Sequence, residues 1–374
     1  MARFYLNDQV RPLDAPPSRA PLAFHRKLPG YAPTPLLDAT ELAAEIGVGR
    51  LWIKDESSRL GLPSFKILGA SWGVYRAIER YAGGLAAWSS LEELTPQLER
   101  LRPLSLAAAT DGNHGRAVAR MARLLGFGAR IFVPEGTSPA RIAAIESEGA
   151  SCDVVEGTYD DAVTRSAKEA SEDCLVISDT SWPGYEDVPR WVIEGYATIF
   201  WEIEDAIEGA ADLVTIQLGV GAMGAAAVRH FRRPGAPPTR MLGVEPDRAA
   251  CVLASMEAGE VITIPGPHDS IMAGLNCGTP SIVAWPWVSS GYDAFVAIDD
   301  ERAREGMRAF DRAGVVAGET GAAGFGGLAA ALDDREARER LGLGPGASVL
   351  LLCTEGATDP AAYERIVGHP PRVR

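Results

Sequence analysis

The chain has 374 residues, 47% of them hydrophobic, and a formal net charge of -14, which allows a sizeable core spread over two domains. A field of that sign argues against nucleic acid and anionic membrane surfaces as partners. No apolar run reaches the ~18 residues of a membrane span and Met1 to Arg19 lacks the apolar centre of a signal peptide, so a cytoplasmic location is the expectation. In chain order, Met1 to Pro33 is Pro-rich and irregular, and Thr34-Pro35-Leu36-Leu37 leads into a short helix over Ala39 to Ile46. The strand Leu51 to Lys54 then points at a helix running from about Phe65 to Tyr81, with Ser64 as its expected N-cap. Beyond a capped helix start at Ser89 to Glu93, strands over Leu104–Ala109, Ala129–Val133, Cys152–Val155 and Cys174–Ser178 alternate with helices over Arg116–Leu125, Pro139–Glu148 and Tyr159–Glu172. Such alternation predicts a parallel sheet covered on both faces.

Asp179 to Pro189, with Trp182, Pro183, Gly184 and Tyr185, breaks this rhythm and reads as a domain junction or active-site loop. A second series follows: a helix over Trp191–Glu208, a strand over Leu213–Leu218, a Gly-rich turn, a helix over Ala225–Phe231 and a strand over Arg240–Val244. An irregular stretch through Pro280, a helix over Asp299–Arg312, a turn at Gly318 to Gly321, a helix over Gly324–Leu332 and a strand over Val349–Leu352 complete the chain. The expected fold class is therefore α/β, with two doubly wound parallel-sheet domains: a large one from residues 1–65 and 190–374, and a smaller one, 66–189, nested within it. The five cysteines form no CxxC pair and the five histidines show no ligand spacing, which argues against zinc. Cys251 and Cys277 bracket a segment with Pro and Gly, but a cytoplasmic setting disfavours a disulfide between them.

Several strand ends carry short polar groups, and such ends are where open α/β sheets bind ligands. Lys66 lies in the first turn of its helix, where a cation opposes the macrodipole. It is either a solvated lysine or an amine made nucleophilic by a lowered pKa and partial desolvation. A stripe of small residues, Ala70, Gly73 and Ala77, continues its face. Thr110 to Gly115 is a strand-to-helix turn in which Asn113 and the backbone can hold an anion. Asp111 is there either an acid-base group or an N-cap, Asp179 has the same ambiguity, and His114 reads as structural. Gly219-Val220-Gly221-Ala222-Met223-Gly224 follows a strand and opens a helix, which suits a phosphate. Its GxGxxG pattern, with Glu245 closing the next strand about 20 residues on, also fits a nicotinamide-dependent dehydrogenase. Cys353-Thr354-Glu355-Gly356 follows the last apolar strand.

The order Ser64-Phe65-Lys66, Asn113 turn, Gly219 to Gly224 resembles the fold-type II pyridoxal-phosphate enzymes, the group of threonine dehydratase and tryptophan synthase β. The longer pieces PGYAPTPL, KDESSRLGLPSFKILGAS, ATDGNHGRAVA, DTSWPGYEDVP, GVGAMG, IMAGLNCGTPS, GETGAAG and CTEGATDP are similar to the diaminopropionate ammonia-lyase family and spread from Pro29 to Pro360. The resemblance implies pyridoxal 5'-phosphate as cofactor, held as a Schiff base by Lys66 beside Phe65. Asn113 would contact its ring hydroxyl, Gly219 to Gly224 would cradle its phosphate, and Cys353 or Thr354 would face its ring nitrogen. The wider group often has serine where this chain has Cys353. Asp111 and Asp179 match the family's active-site aspartates, the first as base for a D-substrate while the lysine serves the L-substrate, and the small-residue stripe would make room for a planar cofactor. The implied reaction is elimination from D- or L-2,3-diaminopropionate to pyruvate and ammonia, in a homodimer acting on a small amino acid. The rivals are another pyridoxal-phosphate β-eliminase such as a serine/threonine dehydratase, a β-replacement synthase, the dehydrogenase above, and a non-catalytic binding protein that keeps the fold.

Overall fold

The computed structural model describes residues 2–372. Eleven strands form two sheets among them: β1 (Arg3–Leu6), β2 (Leu36–Asp38), β3 (Arg50–Asp55), β4 (Ser105–Ala109), β5 (Gly128–Pro134), β6 (Ser151–Val155), β7 (Cys174–Val176), β8 (Leu213–Gln217), β9 (Arg240–Pro246), β10 (Ala294–Ile298) and β11 (Ser348–Cys353). The smaller sheet has the order β6-β5-β4-β7 and is parallel throughout. The larger has the order β1-β10-β9-β8-β11-β3-β2, with a parallel centre. Its two edges, β1 on β10 and β2 on β3, are antiparallel, so this sheet is mixed rather than wholly parallel as expected. Both edge strands lie in N-terminal segments that read as irregular, because three or four residues are too few to show a period. The central strands are long apolar runs buried on both faces, as parallel strands under helices must be.

The helix Lys66–Tyr81 packs against the helix Asp187–Ala206 through glycines. A Cβ on Gly69 would fall 2.4 Å from Tyr196 Cε1, one on Gly73 3.0 Å from Val192 Cγ2, and one on Gly195 2.4 Å from the Leu68 carbonyl oxygen. At Gly73 the small-residue stripe thus receives a neighbouring helix and not a planar cofactor. Ser64 is not at the cap position, which falls to Phe65 in right-handed helical geometry, although the Ser64 Oγ accepts the Lys66 amide at 3.4 Å. Instead the 63–65 loop is stitched to the end of β11. The Gly356 amide donates to the Pro63 carbonyl at 2.9 Å, and the Phe65 amide to the Thr354 carbonyl at 3.3 Å. Lys66 is thereby delivered to the C-terminal edge of the large sheet.

Behind this loop lies a buried ionic cluster. Glu202 accepts from Lys54 Nζ and from both Arg59 Nη atoms at 2.7 Å, and Arg59 Nε donates to Glu56 at 2.8 Å. All four side chains are 3% exposed or less. Removing one member of a buried ion cluster strands the others, a loss of roughly 3–5 kcal/mol. Glu202→Gln is therefore expected to lower the unfolding free energy by about that amount; a loss under ~1 kcal/mol in a urea titration would mean that the cluster relaxes or hydrates.

Candidate active site

A cleft opens at the C-terminal ends of the central strands, lined among others by Phe65, Lys66, Asp111, Asn113, Asp179, Gly219 to Met223, Thr354 and Glu355. Residues more than 280 positions apart in sequence thus share one site, and Lys66 is the one lysine on its wall among the described residues. Two of the expected cofactor contacts lie outside the lining. Gly224 is a packing glycine, since a Cβ there would fall 2.5 Å from Leu218 Cδ2 and 3.0 Å from the Tyr292 hydroxyl. Cys353 is fully buried in the strand end, its thiol directed to the Glu355 carbonyl at 3.4 Å.

Lys66 Nζ forms an ion pair with Asp179 Oδ2 at 2.7 Å, and the Tyr159 hydroxyl donates to Asp179 Oδ1 at 2.8 Å. Burial opposes the charge on Lys66, but the Asp179 carboxylate outweighs it, so the amine is held as ammonium well above the ordinary lysine range. This reverses the lowered pKa expected for a nucleophilic lysine. Asp179 is also buried, yet Lys66 keeps its carboxyl below the usual carboxylate range. The loop after it is rigid by construction: Trp182 and Tyr185 stack with centroids 4.2 Å apart, and the Tyr185 hydroxyl donates to the Val176 carbonyl and accepts from the Ser178 amide. Asp111 makes no ion pair among the described residues. It lines both this cleft and the wider mouth that continues it past Arg141, Ser138 and His268.

Asn113 begins the helix Asn113–Leu125, and its Nδ2 donates to Glu355 Oε2. His114 lines the cleft with its Nε2 on the Ile177 carbonyl at 2.8 Å and its Nδ1 without a partner, and burial lowers its pKa. Gly221, at φ +93°, turns the chain into the helix Ala222–Phe231, so the amides of that helix start face the cleft wall. A Cβ on Gly219 would lie 3.2 Å from the Gly274 carbonyl oxygen, which reserves the turn for glycine.

Glu245 is not the ribose-binding acid of a dehydrogenase. It is fully buried, and its carboxyl accepts the backbone amides of Val252 and Leu253 at 2.7 and 2.8 Å, at the start of the helix Cys251–Ala258. Burial pushes its pKa up to about 8 from 4.5. The folded chain then keeps a proton that the unfolded chain has released, so this group's contribution to stability falls as pH rises from about 4.5 to about 8. Glu245→Gln should remove that slope: urea midpoints compared at pH 5 and pH 8 should differ less than in the unsubstituted protein, and an unchanged difference would refute the buried-acid account.

Six buried polar atoms of residues lining the cleft, His114 Nδ1, the Tyr196 hydroxyl, Gln217 Oε1, Asn276 Oδ1, Thr354 Oγ1 and Glu355 Oε1, have no hydrogen-bond partner. Groups of this kind are costly to bury unless a ligand satisfies them. Gln217 donates through Nε2 to the Gly321 and Leu352 carbonyls at 2.9 and 2.8 Å, which leaves its oxygen as the acceptor. A lysine, a helix-start anion cradle, an aromatic wall from Phe65 and Tyr196, and orphaned acceptors together fit a flat phosphorylated aldehyde of the pyridoxal type. Sequence reasoning placed Glu355 in a candidate strand-end segment without a part of its own, and assigned no role to Gln217, Tyr159 or Tyr196. The signal for Gln217 was present, as a polar residue closing the otherwise apolar run Leu213 to Gln217.

The model of the pyridoxal-phosphate-dependent enzyme family matches residues 27–355. A diaminopropionate ammonia-lyase of Salmonella typhimurium is 37% identical over 365 residues, covering 92% of this chain and 90% of that protein. Its counterpart in Escherichia coli K12 is 35% identical over 387 residues, covering 97% and 94%. The crystal structure of the Escherichia coli enzyme in complex with D-serine superposes with a TM-score of 0.90 at 32% identity, over 98% of this chain and 97% of that one. Family match, identity along nearly the whole length and the shared architecture lead to one assignment: the chain belongs to the fold-type II pyridoxal-phosphate-dependent enzymes, in the diaminopropionate ammonia-lyase family.

Proposed function

We propose that this protein eliminates ammonia from D- and L-2,3-diaminopropionate, one water being taken up and pyruvate and two ammonia molecules released. The observation that carries the reading is the placement of Lys66, the Gly219 to Met223 turn and the two aspartates on one cleft wall. Pyridoxal phosphate, when bound, supplies an electron sink for the pair left behind by the departing Cα proton.

The chain's own groups do the rest. Lys66 would anchor the cofactor through Nζ, the amides of Gly219 to Met223 would hold its phosphate, Asn113 would meet its ring hydroxyl, and Phe65 would flank it. Of the two expected partners of the ring nitrogen, Thr354 is the one that fits, because its orphaned hydroxyl lies on the cleft wall whereas Cys353 is turned into the strand. Asp179 holds Lys66 charged until the amine is needed as nucleophile, and can then keep the proton close at hand. When not holding the cofactor, Lys66 would serve as base for the L-isomer. Asp111, on the wall between cleft and mouth, serves the D-isomer. The division into a cofactor-holding part, 1–65 and 190–374, and a nested part, 66–189, the cytoplasmic location and the homodimer belong to the same proposal. The free thiols of Cys152, Cys174, Cys251 and Cys277 suit a reducing compartment; no described helix is long and apolar enough to cross a membrane.

Pyruvate release across D- and L-diaminopropionate, serine, threonine and cysteine is the test. Diaminopropionate should be preferred as both isomers. Turnover of serine or threonine with equal kcat/KM would favour the dehydratase reading, and no ammonia from any amino acid would favour the non-catalytic one.

A further inference from the structure

Glu355 is the carboxyl of this cleft that neither the reaction nor the family assignment uses. It follows β11 by two residues, is 2% exposed, and faces Asn113 across a separation of 242 positions. One of its oxygens accepts from Asn113 Nδ2, while the other has no hydrogen-bond partner. Its backbone is fixed independently, since the Gly318 amide donates to the Glu355 carbonyl at 3.0 Å and a Cβ on Gly321 would fall 2.3 Å from that same oxygen. The backbone of Glu355 therefore cannot shift without moving the start of the helix Glu319–Asp333.

A primary amide has two faces, one with two donors and one with two acceptor lone pairs, and a side chain at a helix start is free to present either. Burial raises the Glu355 pKa, while the Asn113 N–H and the nearby Arg141 favour its ionised form; as a carboxylate it removes that freedom, because rotating the amide would set Oδ1 against oxygen. With one Nδ2 hydrogen committed to Glu355, the other is the sole remaining donor of the side chain. We propose that Glu355 is a positioning residue: it locks the Asn113 amide so that an N–H, and not the carbonyl, meets the ring oxygen of the cofactor. The inference rests on the cofactor reading above. A donor at that oxygen stabilises its ionised form, which is the tautomer that absorbs at longer wavelength, so the lock is legible in a spectrum and needs no turnover.

The test uses holoenzyme of the unsubstituted protein, of Glu355→Gln and Asn113→Ala, and of the double variant, with visible spectra recorded at neutral pH and bound cofactor titrated in parallel. Glutamine keeps the volume and can accept from Nδ2 or donate to Oδ1, so it permits both amide orientations. E355Q should lower the ratio of long- to short-wavelength absorbance roughly fivefold, about the equilibrium weight of one hydrogen bond. N113A should lower it by as much, and E355Q should add nothing in the N113A background, since a residue acting through another is silent once that other is gone. An unchanged ratio in E355Q overturns the inference, as does an equal further drop on the N113A background. A protein that shows no borohydride-sensitive band before any substitution, or a band that survives in Lys66→Ala, overturns the cofactor reading and this inference with it.

Discussion

Lys66→Ala should abolish the visible band of the cofactor-loaded protein, prevent its fixation by borohydride, and reduce turnover of both diaminopropionate isomers. Among the described residues no other lysine lines the cleft, so no amine can substitute. The loss should reach the upper part of the ~10²–10⁴ range of a positioned proton-transfer group, because the anchoring of the cofactor is lost together with a base. Retention of the band would disprove the assignment of Lys66. The same substitution should also act on the cofactor-free protein, for a separate reason. Asp179 titrates below its ordinary range in the folded chain, so its contribution to stability is present above the unfolded carboxyl value and is lost as pH falls through the lower folded one. Lys66 titrates above its ordinary range, so its contribution is present below the unfolded lysine value and is lost as pH rises through the higher folded one. Cofactor-free Lys66→Ala should accordingly be less stable than its parent at neutral pH, and the gap should close towards the acid end. Urea midpoints at neutral pH and at pH 3 measure this, and a gap that widened in acid would contradict the pairing.

The raised pKa alters how the opening chemistry is pictured. Read from residue types, Lys66 needed a desolvated site to become nucleophilic, and desolvation is indeed the largest single influence on it. What sequence spacing does not reveal is that Asp179, 113 positions away, closes to 2.7 Å and reverses the sign. The cofactor-free chain therefore holds the lysine as an ion pair. To act as a nucleophile Nζ would first have to lose a proton, and Asp179, which also accepts from Tyr159, is the carboxylate bonded to it.

Legibility followed the length scale of the physics. The central strands and the helices over Lys66–Tyr81, Asp300–Arg312 and Tyr159–Ala167 announce themselves through apolar period and end signals, which are local. The edge strands Arg3–Leu6 and Leu36–Asp38 do not, because their conformation is imposed by the partners β10 and β3 and not by their own pattern. The turn read at Gly318 to Gly321 is the first turn of the helix Glu319–Asp333, where glycines admit the backbone of Glu355. GxGxxG and an acid at the right spacing suggest two cofactors equally well. Only the burial of Glu245 against its own helix start separates them, and burial is a tertiary property.

Asp111→Asn should divide the two stereoisomers. Asp111 lines the cleft and also the mouth, makes no ion pair among the described residues, and accepts through Oδ1 from the Thr110 hydroxyl at 3.4 Å in the strand-end turn. Lys66, by contrast, is committed to Asp179. The two candidate bases thus enter the cleft from different elements, Lys66 from a helix start beside β11 and Asp111 from the end of β4. Bases so placed suit substrates whose Cα protons point to opposite faces of the same bound amino acid. Asparagine preserves volume and hydrogen bonding but takes up no proton, so kcat on D-diaminopropionate should fall by ~10²–10⁴. On the L-isomer the change should stay within about tenfold, because Lys66 and its ion pair are untouched. Cofactor content and the visible band should match the parent, which distinguishes a lost base from a damaged site. Equal losses on both isomers would refute the division of labour and make Asp111 a shared binding or orienting group, with the D-proton removed by Lys66 or by a water held in the mouth.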